Sequence, residues 1–178
     1  MRTTNNQQGE SLMSMRPLHC LLAIGAASLV VGTASAAEYA TVKLTTSVDA
    51  PIDVVWKKVG GYCDITKWLP QLKTCAYTSG TGDLGTVRRL ADRIDELMVA
   101  QGKYYYVYAQ PSPPGRDIMY HGMLEAVADG KNKTTLLYNL VWDQSPLADD
   151  AAKQKDRDGR TAAFTGALAA MKKLAETK

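Results

Sequence analysis

The chain has 178 residues, of which 46% are hydrophobic and 22% charged, with a formal net charge of +3. That length suits one domain, at roughly 100–200 residues per domain, and the balance of apolar and charged residues excludes a disordered or disulfide-dense chain. So small a positive surplus, with no Lys/Arg block, argues against a nucleic-acid partner. Nine Tyr and three Trp stand against a single Phe. A buried Tyr needs a partner for its hydroxyl, so this aromatic split points to a lined pocket or wet cleft.

Residues 21–31, LLAIGAASLVV, form an apolar run preceded by Arg16 and followed by Gly32-Thr33-Ala34-Ser35-Ala36-Ala37. A basic start, an apolar stretch of 7–15 residues and a small-residue cleavage site describe a secretory signal peptide. The run is too short to span a bilayer, which needs ~20 apolar residues. The cut falls before Ala37, with Met13 or Met15 as alternative starts, and a buried N-terminal helix is the competing reading. A lipoprotein does not fit, because Cys20 precedes the apolar run. The expected organisation is therefore a removed leader over 1–36 and one domain over 37–178, periplasmic or secreted. Without the leader, 19 basic residues face 17 acidic ones, and Cys63 and Cys75 are the cysteines left. In an oxidising compartment such a pair can form a disulfide, and two free buried thiols are the alternative.

Residues 40–48 alternate, with Val42, Leu44, Thr46 and Val48 on one face, and read as a half-buried strand. Asp49-Ala50-Pro51 offers a capping acid and a proline for a helical first turn. Ile52, Val55, Trp56 and Val59 follow at helical spacing up to Gly60-Gly61. A second short helix fits 64–69, ended by Pro70, and 72–79 read as a strand into the turn at Ser79–Gly82. Beyond Gly102 the segments 104–110, 117–127 and 134–143 are rich in Tyr, Val and Leu and separated by turn clusters, so they read as strands. Residues 147–177 hold no Pro, and Phe164, Ala167, Leu168, Met171, Leu174 and Ala175 form one stripe of a long helix. Strands segregated from helices in this way argue α+β with an antiparallel sheet packed on a helix.

Gly80-Thr81-Gly82-Asp83-Leu84-Gly85 matches the dinucleotide-binding fingerprint G-x-G-x-x-G. The preceding segment Lys73–Thr78 is too polar for a strand buried on both faces. The acid expected ~20 residues on to hold a ribose is missing, with Gln101 and Lys103 in that stretch. The glycines therefore read as a turn with positive-φ positions, and 84–91 and 94–100 as two strands joined at Asp92-Arg93. No cofactor is expected.

Taken in order, Val55-Trp56, Tyr62-Cys63-Asp64-Ile65-Thr66-Lys67-Trp68-Leu69-Pro70 and Gly82-x-x-Gly85-x-Val87-Arg88 resemble the polyketide cyclase/dehydrase branch of the START-like (SRPBCC, helix-grip) superfamily. Glu96-Leu97, Tyr120-x-Gly122-x-Leu124-Glu125 and Phe164-x-Gly166-Ala167-Leu168-x-x-Met171-Lys172 continue the likeness, which covers nearly all of 40–176. It implies a seven-stranded antiparallel sheet wrapped around a long C-terminal helix, with two short helices after the first strand. It also implies a cavity between sheet and helix for a hydrophobic small molecule, in a family that includes lipid carriers, plant hormone receptors and aromatase/cyclases.

On the family pattern Arg88, Leu90 and Glu96 point inward. Alternation puts Tyr104, Tyr106 and Tyr108 on one strand face, and that set is taken as inward, with Tyr120 and Tyr138 from the next two strands. Phe164, Leu168 and Met171 face them from the helix, and Trp68 is placed near the mouth. Ordinary sheet surface with cross-strand pairing is the competing reading for each Tyr. His121, turned away from the face of Tyr120, stands alone where a metal would need several ligands, so no metal site is expected. No Ser or Cys nucleophile motif is present either. The expectation is an exported, non-enzymatic carrier of a hydrophobic or lipid-like ligand, with a cyclase/aromatase-like or hydrolase-like enzyme using the same cavity as the alternative.

Overall fold

Alternating side chains decide the architecture. The computed structural model describes residues 36–177, so the leader proposed over 1–36 lies almost wholly outside the described residues. Strands β1 (Tyr39–Val48), β2 (Cys75–Ser79), β3 (Val87–Leu90), β4 (Ile94–Gly102), β5 (Tyr105–Ala109), β6 (His121–Ala128) and β7 (Thr134–Asp143) form one antiparallel sheet. Its order is β1-β7-β6-β5-β4-β3-β2, so every strand pairs with its sequence neighbour except that the first closes onto the last. The even-numbered positions Val42, Val48, Arg88, Leu90, Glu96, Met98, Tyr106, Tyr108, Leu124, Leu136, Tyr138 and Leu140 are all buried, and they make the concave face. A bulge between Met98 and Ala100 breaks the phase of β4, and Gln101 rather than Ala100 then pairs with Tyr106.

Helices α1 (Ile52–Val59) and α2 (Ile65–Trp68) follow β1, and α3 (Asp150–Glu176) closes the chain. This is the helix-grip arrangement of the α+β class. Val55 and Val59 seat α1 in the core, and the Trp68 indole N–H donates to the Val59 carbonyl at 3.3 Å. Asp149 begins α3, its carboxylate accepting the Ala152 N–H at 2.8 Å. Ala167, Leu168, Met171 and Ala175 are the buried residues of α3, so full burial begins only at Ala167.

Element ends differ from the expectations where turns intervene. Pro51, not Asp49, takes the cap position of α1, and the Asp49 N–H instead donates to Glu176 Oε1 at 2.8 Å. Pro70–Leu72 forms a 3-10 turn, so β2 starts at Cys75. Arg116–Ile118 forms another, ended by Met119 at φ 51°, which delays β6 to His121. The glycine motif is a turn: Gly80, Gly82 and Gly85 have φ of 77°, 106° and 87°, and β3 starts only after them.

Cys63 and Cys75 are joined, with Cα atoms 5.5 Å apart, so the α1–α2 segment is tied to the start of the sheet's edge strand. On the chain-entropy account, a loop of this size stabilises by about 3 kcal/mol. The double substitution Cys63→Ser, Cys75→Ser should lower the urea-unfolding free energy by about that amount. Equal stability of the oxidised and reduced proteins would show that the bridge contributes nothing.

Candidate ligand site

Arg88 of β3 and Glu96 of β4 are register partners, so both side chains enter the concave face at one level. Both are buried, at 0% and 3% exposure. Arg88 Nε and Nη2 donate to Glu96 Oε2 at 2.8 and 2.5 Å, and Nη1 donates to the Tyr62 carbonyl. Gln110 Nε2 donates to the other carboxylate oxygen at 3.1 Å, and the Tyr62 hydroxyl donates to the Glu96 carbonyl at 3.0 Å. The guanidinium carbon also lies 4.0 Å from the Tyr62 ring centre and 5.2 Å from that of Tyr108. Burial works against the Arg88 charge, but Glu96 together with Tyr106, Tyr62 and Tyr108 more than offsets it and drives the guanidinium further above its ordinary range.

From this pair a file of rings crosses the interior. Tyr62 meets Tyr106 edge-on at 5.2 Å, Tyr106 and Tyr108 follow at 6.4 Å, and Tyr138 meets Phe164 of α3 at 4.5 Å. The Tyr108 and Tyr138 hydroxyls bond each other at 2.9 Å. Burial, opposed mainly by Arg88, raises the Tyr62 and Tyr106 hydroxyls, and burial also holds Tyr108 and Tyr138 well above the ordinary range. Tyr120 is pushed up to about 12, again chiefly by burial. Tyr106 Oη is the single buried side-chain polar atom without a hydrogen-bond partner among the described residues.

Near the first turns of α3 the interior is closed by polar contacts instead. Trp142 Nε1 donates to Asp156 Oδ2 at 2.6 Å, and Arg160 lies 4.6 Å from the Trp142 ring and 5.0 Å from that of Tyr120. Burial pushes the Asp156 carboxyl up, and hydrogen bonds from Arg160, Gln144 and Trp142 more than reverse this, leaving it below its ordinary value.

The structure thus brings together Arg88, Leu90, Glu96, Tyr106, Tyr108, Tyr120, Tyr138, Leu168 and Met171, all buried on the concave side, with Phe164 half-buried beside Tyr138. Two expected positions differ. Trp68 is 1% exposed and lies edge-on to Tyr138 at 6.0 Å, so it belongs to the core and not to a rim. Tyr104 precedes β5, and its hydroxyl donates to exposed Asp53 at 2.5 Å, so it stands outside the inward set. Tyr62, Gln110, Trp142, Asp156 and Arg160 were not among the expected residues. Tyr62, Asp156 and Arg160 lie outside the strands, where two-residue alternation says nothing.

Together these features define a helix-grip protein with a hydroxyl-bearing aromatic interior around one buried ion pair. The chain belongs to the polyketide cyclase/dehydrase and lipid transport family, whose model matches residues 39–176. A solution structure from Thermobifida fusca is similar at 24% identity and a TM-score of 0.63, over 74% of this chain and 90% of that one. The ZhuI aromatase/cyclase from Streptomyces sp. R1128 is similar at 17% identity and a TM-score of 0.64, over 78% of this chain and 94% of that one. The di-domain aromatase/cyclase BexL matches at 16% identity and a TM-score of 0.60, over 79% of this chain and 51% of that one. At these identities the likeness is one of fold. No curated protein sequence matches the chain.

Two measurements check the electrostatics. Glu96→Gln leaves the Arg88 charge buried without its counter-ion and should cost about 3–5 kcal/mol in urea unfolding, with much of the loss recovered by Arg88→Met in the same chain. An equal loss in the double variant would show that packing, not charge, is at stake. The raised tyrosines give stability that is fully present below their ordinary value of 10.0 and is lost as pH rises toward about 12 for Tyr120. Stability should therefore fall steeply in that alkaline window, and Tyr120→Phe should shallow the fall.

Proposed function

We propose that this is an exported protein that binds a hydrophobic or lipid-like small molecule, without covalent chemistry, between the sheet and α3. The carrying observation is the file of rings on the concave face, which presents a broad apolar surface with hydroxyls and one neutralised ion pair set into it. That is the usual chemistry of a small-molecule site: an apolar body with a few fixed polar groups. The family's description, polyketide cyclase/dehydrase and lipid transport, is compatible with this reading, and the apolar run at 21–31 with its Ala34-Ser35-Ala36 site supports export.

In the described conformation the rings fill the space themselves, since Tyr138, Leu124, Leu140 and Met171 have no exposed surface. Room for a ligand comes from the outer part of α3, where no residue before Ala167 is buried. A ligand entering there exchanges ring–ring contacts for ring–ligand contacts of similar kind. An enzymatic reading would need a group poised to exchange a proton near neutral pH. The buried hydroxyls are held protonated well above that range, and both Glu96 oxygens are engaged by Arg88 and Gln110.

Native mass spectrometry of the protein purified from its own host should show a bound lipid-like molecule. No such molecule, together with no binding in a lipid screen, overturns the reading. N-terminal sequencing of that same protein should begin at Ala37, and a retained leader would remove export from the proposal.

A further inference from the structure

Apart from the interior, an open cleft of about 390 Å³ lies between the α1–α2 loop and the β2–β3 loop. Each wall is a glycine turn lying on an aromatic ring. A Cβ on Gly60 would come within 2.3 Å of the Trp56 ring, and one on Gly82, at φ 106°, within 3.0 Å of Tyr77 Oη. Across the cleft Tyr62 and Tyr77 stack at 6.4 Å with 28° between their planes. Cys63 follows Tyr62 directly and Cys75 lies two residues before Tyr77, so the disulfide holds the two walls at a fixed spacing. A site fixed in advance loses less conformational freedom on binding.

The lining also has a charge preference. Asp64 is neutralised by Lys67 at 2.7 Å and accepts the Gly61 N–H at 2.9 Å. Lys57 lines the same cleft and has no acidic partner among the described residues, which leaves one unpaired positive charge at the rim. Tyr106, on the floor, carries the buried hydroxyl that lacks a partner. The Lys57 ammonium can only donate, so an occupant at the rim must bring acceptors. The aromatic walls, with Tyr77 41% exposed, call for a flat apolar body.

We propose that this cleft is a binding site for a planar aromatic carboxylate. The ring lies against the exposed face of Tyr77, and the carboxylate takes up the Lys57 donor. Tyr62 and Tyr106 belong to the interior as well, but Lys57 and Tyr77 do not, so substitutions at those two test this site separately from the interior ligand.

Titration calorimetry with 2-naphthoate, and with 2-naphthylmethylamine as the matched cation, tests it on the oxidised protein. The carboxylate should bind about tenfold or more tighter than the amine, and Lys57→Glu should abolish that preference. Tyr77→Ala should weaken the carboxylate about tenfold through loss of the aromatic face. Lys155→Glu, which makes the same change in net charge on exposed α3 surface, should leave its affinity unchanged. Absence of 2-naphthoate binding, no preference for the anion, or equal losses from Lys57→Glu and Lys155→Glu would each overturn the proposal.

Discussion

Arg88 and Glu96 bring two charges into a space otherwise made of rings, and much of the interior is arranged to make that tolerable. Removing either ion from water costs several kcal/mol even after relaxation, and mutual attraction offsets this only when the remaining donors and lone pairs are also satisfied. Here the Tyr62 carbonyl takes the remaining guanidinium edge and Gln110 takes the remaining carboxylate oxygen. Those partners come from the α1–α2 segment and from the residue after β5, so the pair ties the β3–β4 hairpin to two further stretches of chain. The tyrosine excess follows from the same constraint. A ring face beside a buried guanidinium adds attraction without a second charge, and the hydroxyl at the far end can bond a neighbour of its own kind, as Tyr108 and Tyr138 do.

The edge of the sheet depends on this arrangement as well. β3 has four residues, and Arg88 and Leu90 are its buried ones. Beyond it β2 is almost wholly exposed, anchored through the Cys63–Cys75 bridge and a Tyr77–Tyr62 stack. A short, exposed edge strand contributes little apolar burial, so beyond its ladder to β3 the covalent link and the Tyr77–Tyr62 stack carry its attachment.

How much of this was legible in the sequence depended on periodicity. Where one face of a strand is buried and the other wet, a two-residue alternation names the inward side chains, and Arg88, Glu96, Tyr106, Tyr108 and Tyr138 were found that way or through the family pattern. β7 and the stripe of α3 were legible for the same reason. Tyr104 was misplaced because alternation was carried one residue past the strand into a turn, where it no longer holds. Trp68 was misplaced because a four-residue helix gives too few positions to mark a face, and its indole turned to the Val59 carbonyl instead of to solvent. The partners of the charged pair could not be read at all. Tyr62 acts through a backbone carbonyl, which any residue has, and Gln110 through a reach that depends on the turn after β5.

The two parts of α3 are held by different physics, and that difference governs access to the interior. From Ala167 onward the helix is fixed by Leu168, Met171 and two alanines, and burying side chains such as Leu and Met stabilises by roughly 1.5–3 kcal/mol each. Before it the attachments are half-exposed: Asp156 with Trp142, Arg160 over two rings, and Arg157 on Gln144. A hydrogen bond typically contributes about 0.5–1.5 kcal/mol net, and a cation over a ring at a partly exposed site about 0.5–1 kcal/mol. Gly166 sits at the boundary, where an added Cβ would meet nothing within 4 Å, so no packing demands it. A glycine inside a helix weakens it by about 1 kcal/mol relative to alanine. The outer part of α3 is therefore the portion of the interior's cover that costs least to displace. It carries Phe164 against Tyr138 and Arg160 over Tyr120, whereas the charged pair stays beneath the α1–α2 segment, which the disulfide holds in place.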